Sequence, residues 1–556
     1  MKKNLLFILF TYIVWCSSLN AQVVYQDISR ESIYQLLDEL ANDKVIEINS
    51  VVKPYSRKFI YEQLLLAKKD NSLSKRQMQE VDFFLSDYSI GFSSRLPQSK
   101  PDIDLIKKPE VAMSLSPVGI HYHKDDFTFS IRPLWGVKYF TKREQRIFHR
   151  WGGLDAFATI GEHWGFYSSL RDNNLSELFI QTDHFNLYQG GVYKVWKNKS
   201  GGYGGDFSEA RGGVTYSNKW GSIGIVKDYL EWGDNYHGSN ILSAKAPSFA
   251  QLKIHLKPVS WFEFNYSHAS LISQVVDSSR SYFNHYPAGS IYRPVFRPKF
   301  MAANMFTLKP FKGLSFSFGN SIVYSDKNFQ LAYLIPVMFF KSIDHTINAN
   351  IDNENSQLFF NLSSRQIKHI HLYASLFVDE FKISRISKDD EHNFWSEKIG
   401  VRISNLGLKN YSLTFEFTKT MPIVYQHRVP SLTFASNRFS LGHFLGQNSR
   451  DFYFEATAKP VRGLYLKAYY VWSQHGEDYS YILDSNLTRR PFMEKVMWEE
   501  KTMAFSARYE VLNNVFVYAE YRLSDIHGDS SSVERHTAGF FRGKNNIVSF
   551  GFNMGF

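Results

Sequence analysis

Two stretches of this sequence hold the residue types that grip a sugar. Flat aromatic rings suit the apolar face of the ring, and amides, carboxylates or cations suit its hydroxyls and acidic groups. Residues 230–247 offer Trp232, Asp234, Asn235, Tyr236 and His237 in close succession. Residues 271–299 offer Tyr282, Tyr286, Tyr292, Arg293 and Arg297, whose guanidinium forks suit bidentate capture of a carboxylate. The plain alternatives are membrane-interface anchoring for the aromatics, and lipopolysaccharide phosphates or bulk water for the arginines.

Other constellations are weaker. Asp379 and Glu380 are adjacent, and on a strand they point to opposite faces, so a shared divalent ion needs a bulge and solvated charge is the plainer expectation. His237, Ser239 and Asn240 are the residue types of an outer-membrane phospholipase, but three residues in one loop show neither triad geometry nor hydrogen-bonded roles. SGGYGGD at 200–206 lacks a phosphate-loop lysine and a strand-to-helix context, and reads as a loop tip. The only cysteine, Cys16, lies in an N-terminal segment expected to be removed, so no disulfide or thiolate metal site follows. No catalysis, cofactor or metal is expected.

The elements that position these residues begin at the N-terminus. Lys2 and Lys3 precede an apolar run from Leu5 to Cys16, then small residues to Ala21, which is the plan of a secretory signal peptide over residues 1–21. Losing it lowers the net charge of +11 by two, to +9, a balance that suits anionic polysaccharide or lipid headgroups rather than nucleic acid. Mean hydropathy is −0.30, and no later stretch reaches the roughly 20 apolar residues of a membrane helix. Yet 17% of the residues are aromatic, a load that aromatic girdles at two membrane interfaces would use.

Residues 22–90 read as a small helical bundle. Ile33, Leu36, Leu37 and Leu40 recur at helical spacing, Ser56 opens a second helix with Phe59, Ile60 and Leu64, and Ser74 with Gln77 makes a capping box before Met78, Val81 and Leu85. Residues 91–108, with Pro97 and Pro101, read as a linker, leaving 109–556 for the rest.

That remainder alternates. LKIHLKPVSWFEFNYSH (252–268) and FEATAKPVRGLYLKAYYVW (454–472) are strand, tight turn, strand. After each turn Phe262, Phe264 and Tyr266 oppose Glu263, Asn265 and Ser267, and Leu464 and Leu466 oppose Tyr465, Lys467 and Tyr469, as hydrocarbon opposes a lumen. Between hairpins lie long polar connections: 230–247, 271–299, 325–354, 421–449, 474–499 and 526–546. Strict alternation of short turns with long loops is the signature of an outer-membrane barrel. Counting back from Phe556 gives about thirteen strands to Ser248 and about five more from Phe127 to Leu230, about eighteen in all. An even count puts both ends and the helical bundle in the periplasm and the long loops outside the cell. The final strand IVSFGFNMGF, ending in phenylalanine, resembles the signal read by the barrel-insertion machinery. LAYLIPVMFF at 331–340 is apolar enough to fold inward as a lid, pack a loop or touch a partner barrel.

EWGDNYHGSNILSAKAPSFAQLKI (231–254) and HLYASLFVDEF (371–381) resemble motifs of the Wzi-type capsule assembly family of outer-membrane proteins. That resemblance implies an eighteen-stranded barrel plugged by helices and loops, acting as a surface lectin for capsular polysaccharide. Where the family pattern has Gly and Asp, this chain has Asp234 and His237. The rival expectation is a porin or oligosaccharide channel with Glu263, Lys467 and Tyr469 lining the pore.

Overall fold

Period-two alternation with one face apolar and the other polar has a stable solution in a membrane: a closed sheet with no edge. The computed structural model has that form. It describes residues 22–92, 104–197, 202–287, 289–326, 328–348, 351, 354–388, 391–481 and 486–555. The signal peptide expected over 1–21 and most of the expected linker lie outside the described residues. Among these residues no helix is long and apolar enough to cross a membrane.

Eighteen antiparallel strands, from Phe127–Lys142 to Gly543–Met554, close into a barrel. Five precede Phe249 and thirteen follow it, as the hairpin pattern predicts. At the seam Val548 faces Thr141 and Met554 faces Trp135. Below that seam the strand Val118–Lys124 takes over the same edge, with Ile120 opposite Ile131. Tight turns gather at one rim and long connections at the other, except that a two-residue turn joins Lys142 to Gln145 at the long-loop rim, where strict alternation predicts a long loop. Of the glycine-rich stretch 200–206 expected as a loop tip, residues 200 and 201 lie outside the described residues, and Tyr203 to Asp206 instead begin the strand Tyr203–Asn218, with Tyr203 opposite Lys197.

The faces sort as the alternation requires. Ser267 donates to Gln251 (2.8 Å) and Gln251 to the carbonyl of Asp228 (3.3 Å), all turned into the lumen. Lys467 pairs inward with Glu455 at 2.9 Å. On the outside, Val548 and Phe550 are exposed.

Three helices fill the lumen near the short-turn rim: α1 (Glu31–Asn42), α2 (Arg57–Lys68) and α3 (Lys75–Tyr88). Ser56 caps α2 by accepting from the amide of Phe59 (3.1 Å), and Ser74 and Gln77 close the capping box of α3. Their apolar stripes, Ile33, Leu36, Leu37 and Leu40 with Ile60, Leu64, Val81 and Phe84, form one core. The charged residues that meet the polar inner wall are buried too. Asp87 of α3 binds Arg30 (2.6 Å), Arg57 (2.9 Å) and Arg132 of the barrel (2.6 Å). Asp38 of α1 pairs with Arg365 (2.7 Å), and Glu39 with Lys459 (2.9 Å).

Above the helices the connection after the strand Gly221–Asp228 turns inward rather than out. Val52–Lys53, between α1 and α2, pairs with Glu231–Trp232, which pairs with Leu242–Ser243, a three-stranded sheet inside the barrel. Residues 421–449 also fold into the lumen, where Ile423, Val424 and Phe434 join Trp232, Phe359 and Phe377 in one core.

The apolar segment 331–340 does the reverse of an inward lid. A 3₁₀ turn (Leu331–Leu334) and helix α4 (Phe340–Ile347) lie against the outer wall. There Tyr333, Phe340 and Ile343 cover Phe264, Tyr266, Phe300, Ala302 and Ile322, all on the lipid side of their strands. A last helix, α5 (Ser530–His536), is capped by Asp529 at the long-loop rim.

Candidate functional site

The residues predicted to grip sugar fall in two places. Asp234, Asn235 and Tyr236 line a lumen cavity of about 470 Å³, with Glu31, Tyr34 and Asp38 of α1 beneath and Arg171, Glu209, Arg402, Glu455 and Lys467 around the wall. That volume falls within the range of small-molecule pockets.

The geometry here follows from the sequence EWGDNYHGSN. Gly233 and Gly238 adopt φ of +99° and +83°, left-handed values that glycine takes without strain. Between them residues 234–237 loop away from the sheet toward the cavity. Ser239 closes the loop by donating to the carbonyl of Trp232 and accepting from the amide of Ile241. Asn240 ties it to the barrel, donating to the carbonyl of Ser396 (2.9 Å) and accepting from Ser375 (2.7 Å).

Each polar residue of the loop has a specific neighbour. The Tyr236 hydroxyl donates to Asp38 (2.8 Å), and its ring lies 4.7 Å from the Arg402 guanidinium. Burial and the Asp38 charge push the Tyr236 hydroxyl well above its ordinary pKa. Burial alone would raise the Asp38 carboxyl, but Arg365 and Arg402 overcome it and hold the carboxyl well below the usual range. His237 contacts Asp451 at 2.8 Å and stacks on Tyr453 with centroids 4.3 Å apart. Asp234 accepts from Asn361 (2.7 Å) through one oxygen, while its other oxygen is buried without a hydrogen-bond partner. That second oxygen lies 3.8 Å from the His371 ring nitrogen. Trp232 is excluded from any ligand: it is 1% exposed, in the core behind the loop.

His237, Ser239 and Asn240 engage separate partners, so the structure does not assemble them into a triad. Asp379 accepts from the amide of Tyr425 (2.8 Å) while Glu380 pairs with Arg385 (2.7 Å). The strand does carry a register shift there, yet the two carboxylates serve different partners.

The second set lies at the long-loop rim. Tyr282–Tyr286 and Gly289–Arg293 pair as a hairpin, with Tyr282 opposite Arg293 and Phe283 opposite Tyr292. Alternation puts Tyr282, Asn284, Tyr286 and Arg293 on one face, Phe283 and Tyr292 on the other. Tyr282, Tyr286, Tyr292 and Arg293 are exposed, and Arg297 is exposed on the strand that follows. The hairpin is a separate sheet from the barrel and from the lumen cavity.

Among the described residues one group has a cation's donor set: His475, Asp478 and His536, whose ligand atoms lie within 4.8 Å of one another. Arg535 already reaches Asp478 at 3.1 Å, and the cluster binds the connection after His475 to α5.

The family described as capsule assembly protein Wzi matches residues 214–537, more than half of the sequence. The chain belongs to the Wzi capsule assembly family. Among solved structures, the barrel is similar to Wzi of Escherichia coli, described as a carbohydrate-binding β-barrel involved in group 1 capsule assembly. The TM-score is 0.56 at 12% identity, over 96% of this chain and 100% of that one, a likeness of fold. OccAB2 of Acinetobacter baumannii reaches a TM-score of only 0.41 at 10% identity, over 77% of this chain and 97% of that one, too low to support a comparison. No curated protein matches the sequence.

Within this Wzi-family barrel, Asp234 and His237 are each held by a buried partner, Asn361 and Asp451. Residues that sequence reasoning passed over complete the cavity. Arg171 with Glu209, and Asp38 with Arg402, face it from opposite sides. Their only sequence signal was an inward position in the alternation or on the polar side of α1.

Proposed function

We propose that the protein is a surface lectin that holds capsular or other extracellular acidic polysaccharide on the cell. In this reading the short-turn rim faces the periplasm, with the helices seated in the lumen at that end rather than free in the periplasm as a separate bundle, and the long loops lie outside the cell, where lipopolysaccharide surrounds the barrel and the insertion machinery has placed it. The observation that carries the reading is the outer hairpin. One face presents the rings of Tyr282 and Tyr286 with the guanidinium of Arg293, a stacking surface beside a carboxylate-binding fork. Membership of the Wzi family supports it, as does the carbohydrate-binding character of the similar E. coli barrel. The lumen, crossed by α1–α3, an inner sheet and residues 421–449, suits an anchor better than an oligosaccharide channel.

The test is the partition of polysaccharide between cells and medium at equal synthesis. Deletion of the gene shifts polysaccharide into the medium, and Tyr286→Ala with Arg293→Ala reproduces the shift without loss of barrel insertion. Each substitution weakens binding about five- to tenfold, near 1 kcal/mol. An unchanged partition on deletion, with conductance through the purified barrel, would favour the channel.

A further inference from the structure

Polar side chains on the lipid side of a barrel strand are costly unless something other than lipid faces them. Here Asn304 and Asn320 lie opposite each other on adjacent strands. Their sequence neighbours Met305 and Ser321 face inward, Met305 into the core with Trp232 and Ser321 onto Gln357 at 2.7 Å. Alternation therefore points both asparagines outward. They are not wasted on hydrocarbon. Asn304 donates to the carbonyls of Pro336 and Met338, both at 2.9 Å, and Asn320 accepts from the amide of Phe340 at 2.9 Å. Nearby, the outward Tyr266 donates to the carbonyl of Tyr333 at 2.7 Å.

The level of these contacts is set by register. Asn320 is six residues above Leu314 on its strand. A tilt of about 40° and a rise of about 3.4 Å per residue place it about 16 Å above the short-turn rim, in a band about 25 Å tall. Irregular backbone at that depth is tolerated only when its polar groups have partners other than lipid. Three wall side chains supply them, and Pro336 has no amide to satisfy. The opposite side of the segment carries Leu331, Ile335, Val337, Met338 and Phe339, all exposed, and residues 331–340 hold no charge.

We propose that residues 331–340 form an intramembrane flap, clamped to the outer wall by Asn304, Asn320 and Tyr266, whose exposed side binds lipid acyl chains in the leaflet at the long-loop rim. The occupant is hydrocarbon because the flap continues the apolar wall at a depth where no water competes. The inference does not rest on the lectin reading.

The test is a nitroxide at Val337→Cys in the full-length barrel, reconstituted into phosphatidylcholine vesicles, with Lys382→Cys as the exposed reference. Expected is accessibility to a water-soluble nickel chelate about tenfold lower at position 337, with high accessibility to oxygen. Equal chelate access at both positions would overturn the flap, and so would spin–spin broadening at 337, which would mean that a second copy covers it. In a barrel also carrying Asn304→Leu and Asn320→Leu, the label at 337 moves into water. A label that stays buried there overturns the clamp. If that variant fails to insert, the depth in the parent barrel decides alone.

Discussion

Replacing Asp87 by Asn should release the helical plug while leaving the barrel intact. Asp87 is buried at the end of α3 and is shared by Arg30, Arg57 and Arg132 at 2.6–2.9 Å. The amide keeps the shape and loses the charge. Three buried guanidiniums are then left with Glu510, 4.0 Å from Arg30, as the nearest other carboxylate among these pairs. Breaking one side of a buried ion cluster costs about 3–5 kcal/mol, which is about two to three and a half decades in the docking equilibrium. Arg132 belongs to the wall and Asp87 to the plug, so the loss falls on the contact between them. Pulsed proteolysis of residues 22–92 in the folded barrel reads it directly. Protection within a factor of about two of the parent would refute the reasoning. Acid gives the same result by another route. Burial opposes the Asp87 charge, but the three guanidiniums win and hold the carboxyl well below its ordinary value. A depressed folded value means the stabilisation is complete above about pH 4 and is lost only as pH falls through that lower value. The parent plug therefore loosens in acid, whereas Asp87→Asn, with no carboxyl left to protonate, loses this part of the acid dependence.

Other outcomes follow from the same geometry. Trp232→Ala removes a ring from the core behind the inner sheet, so it should cost about 3–5 kcal/mol of plug stability by proteolysis and affect polysaccharide only through that loss. Tyr236→Phe deletes the hydroxyl that donates to Asp38, with an expected cost of about 1–3 kcal/mol and earlier urea release of the plug. Asp234→Ala leaves the buried amide of Asn361 without its acceptor, with an expected cost of about 1–3 kcal/mol, read as faster hydrogen exchange in residues 231–243.

The barrel was legible because its two solvents differ. Each strand writes lipid and lumen into alternate residues, so Glu263, Ser267 and Lys467 were placed correctly without knowledge of any partner. The helices were legible from local rules: Ser74 and Gln77 cap α3 wherever it docks. The loops were not legible. Nothing in the composition of residues 230–247 says that Trp232 pairs inward against Val52, because the decision is made by a strand almost 180 residues away in sequence. The same holds for 331–340, whose apolar content fitted a lid, a partner or a wall equally well. The distinguishing signal was present elsewhere, in Asn304 and Asn320 at outward positions of otherwise apolar strand faces.

The inner sheet and the ion pairs of α1 also constrain how the molecule is made. Asn42 meets Ser404, Glu39 meets Lys459 and Glu31 meets Arg508, at separations of 362, 420 and 477 residues. The part of the chain synthesised early therefore finds its partners only after nearly all of the wall exists, and contacts of such separation form late. Until then α1–α3 must wait as a bundle whose Asp38, Glu39 and Asp87 lack their wall cations. The seated plug therefore requires a cylinder closed in the right register, because its partners lie on strands from one end of the wall to the other.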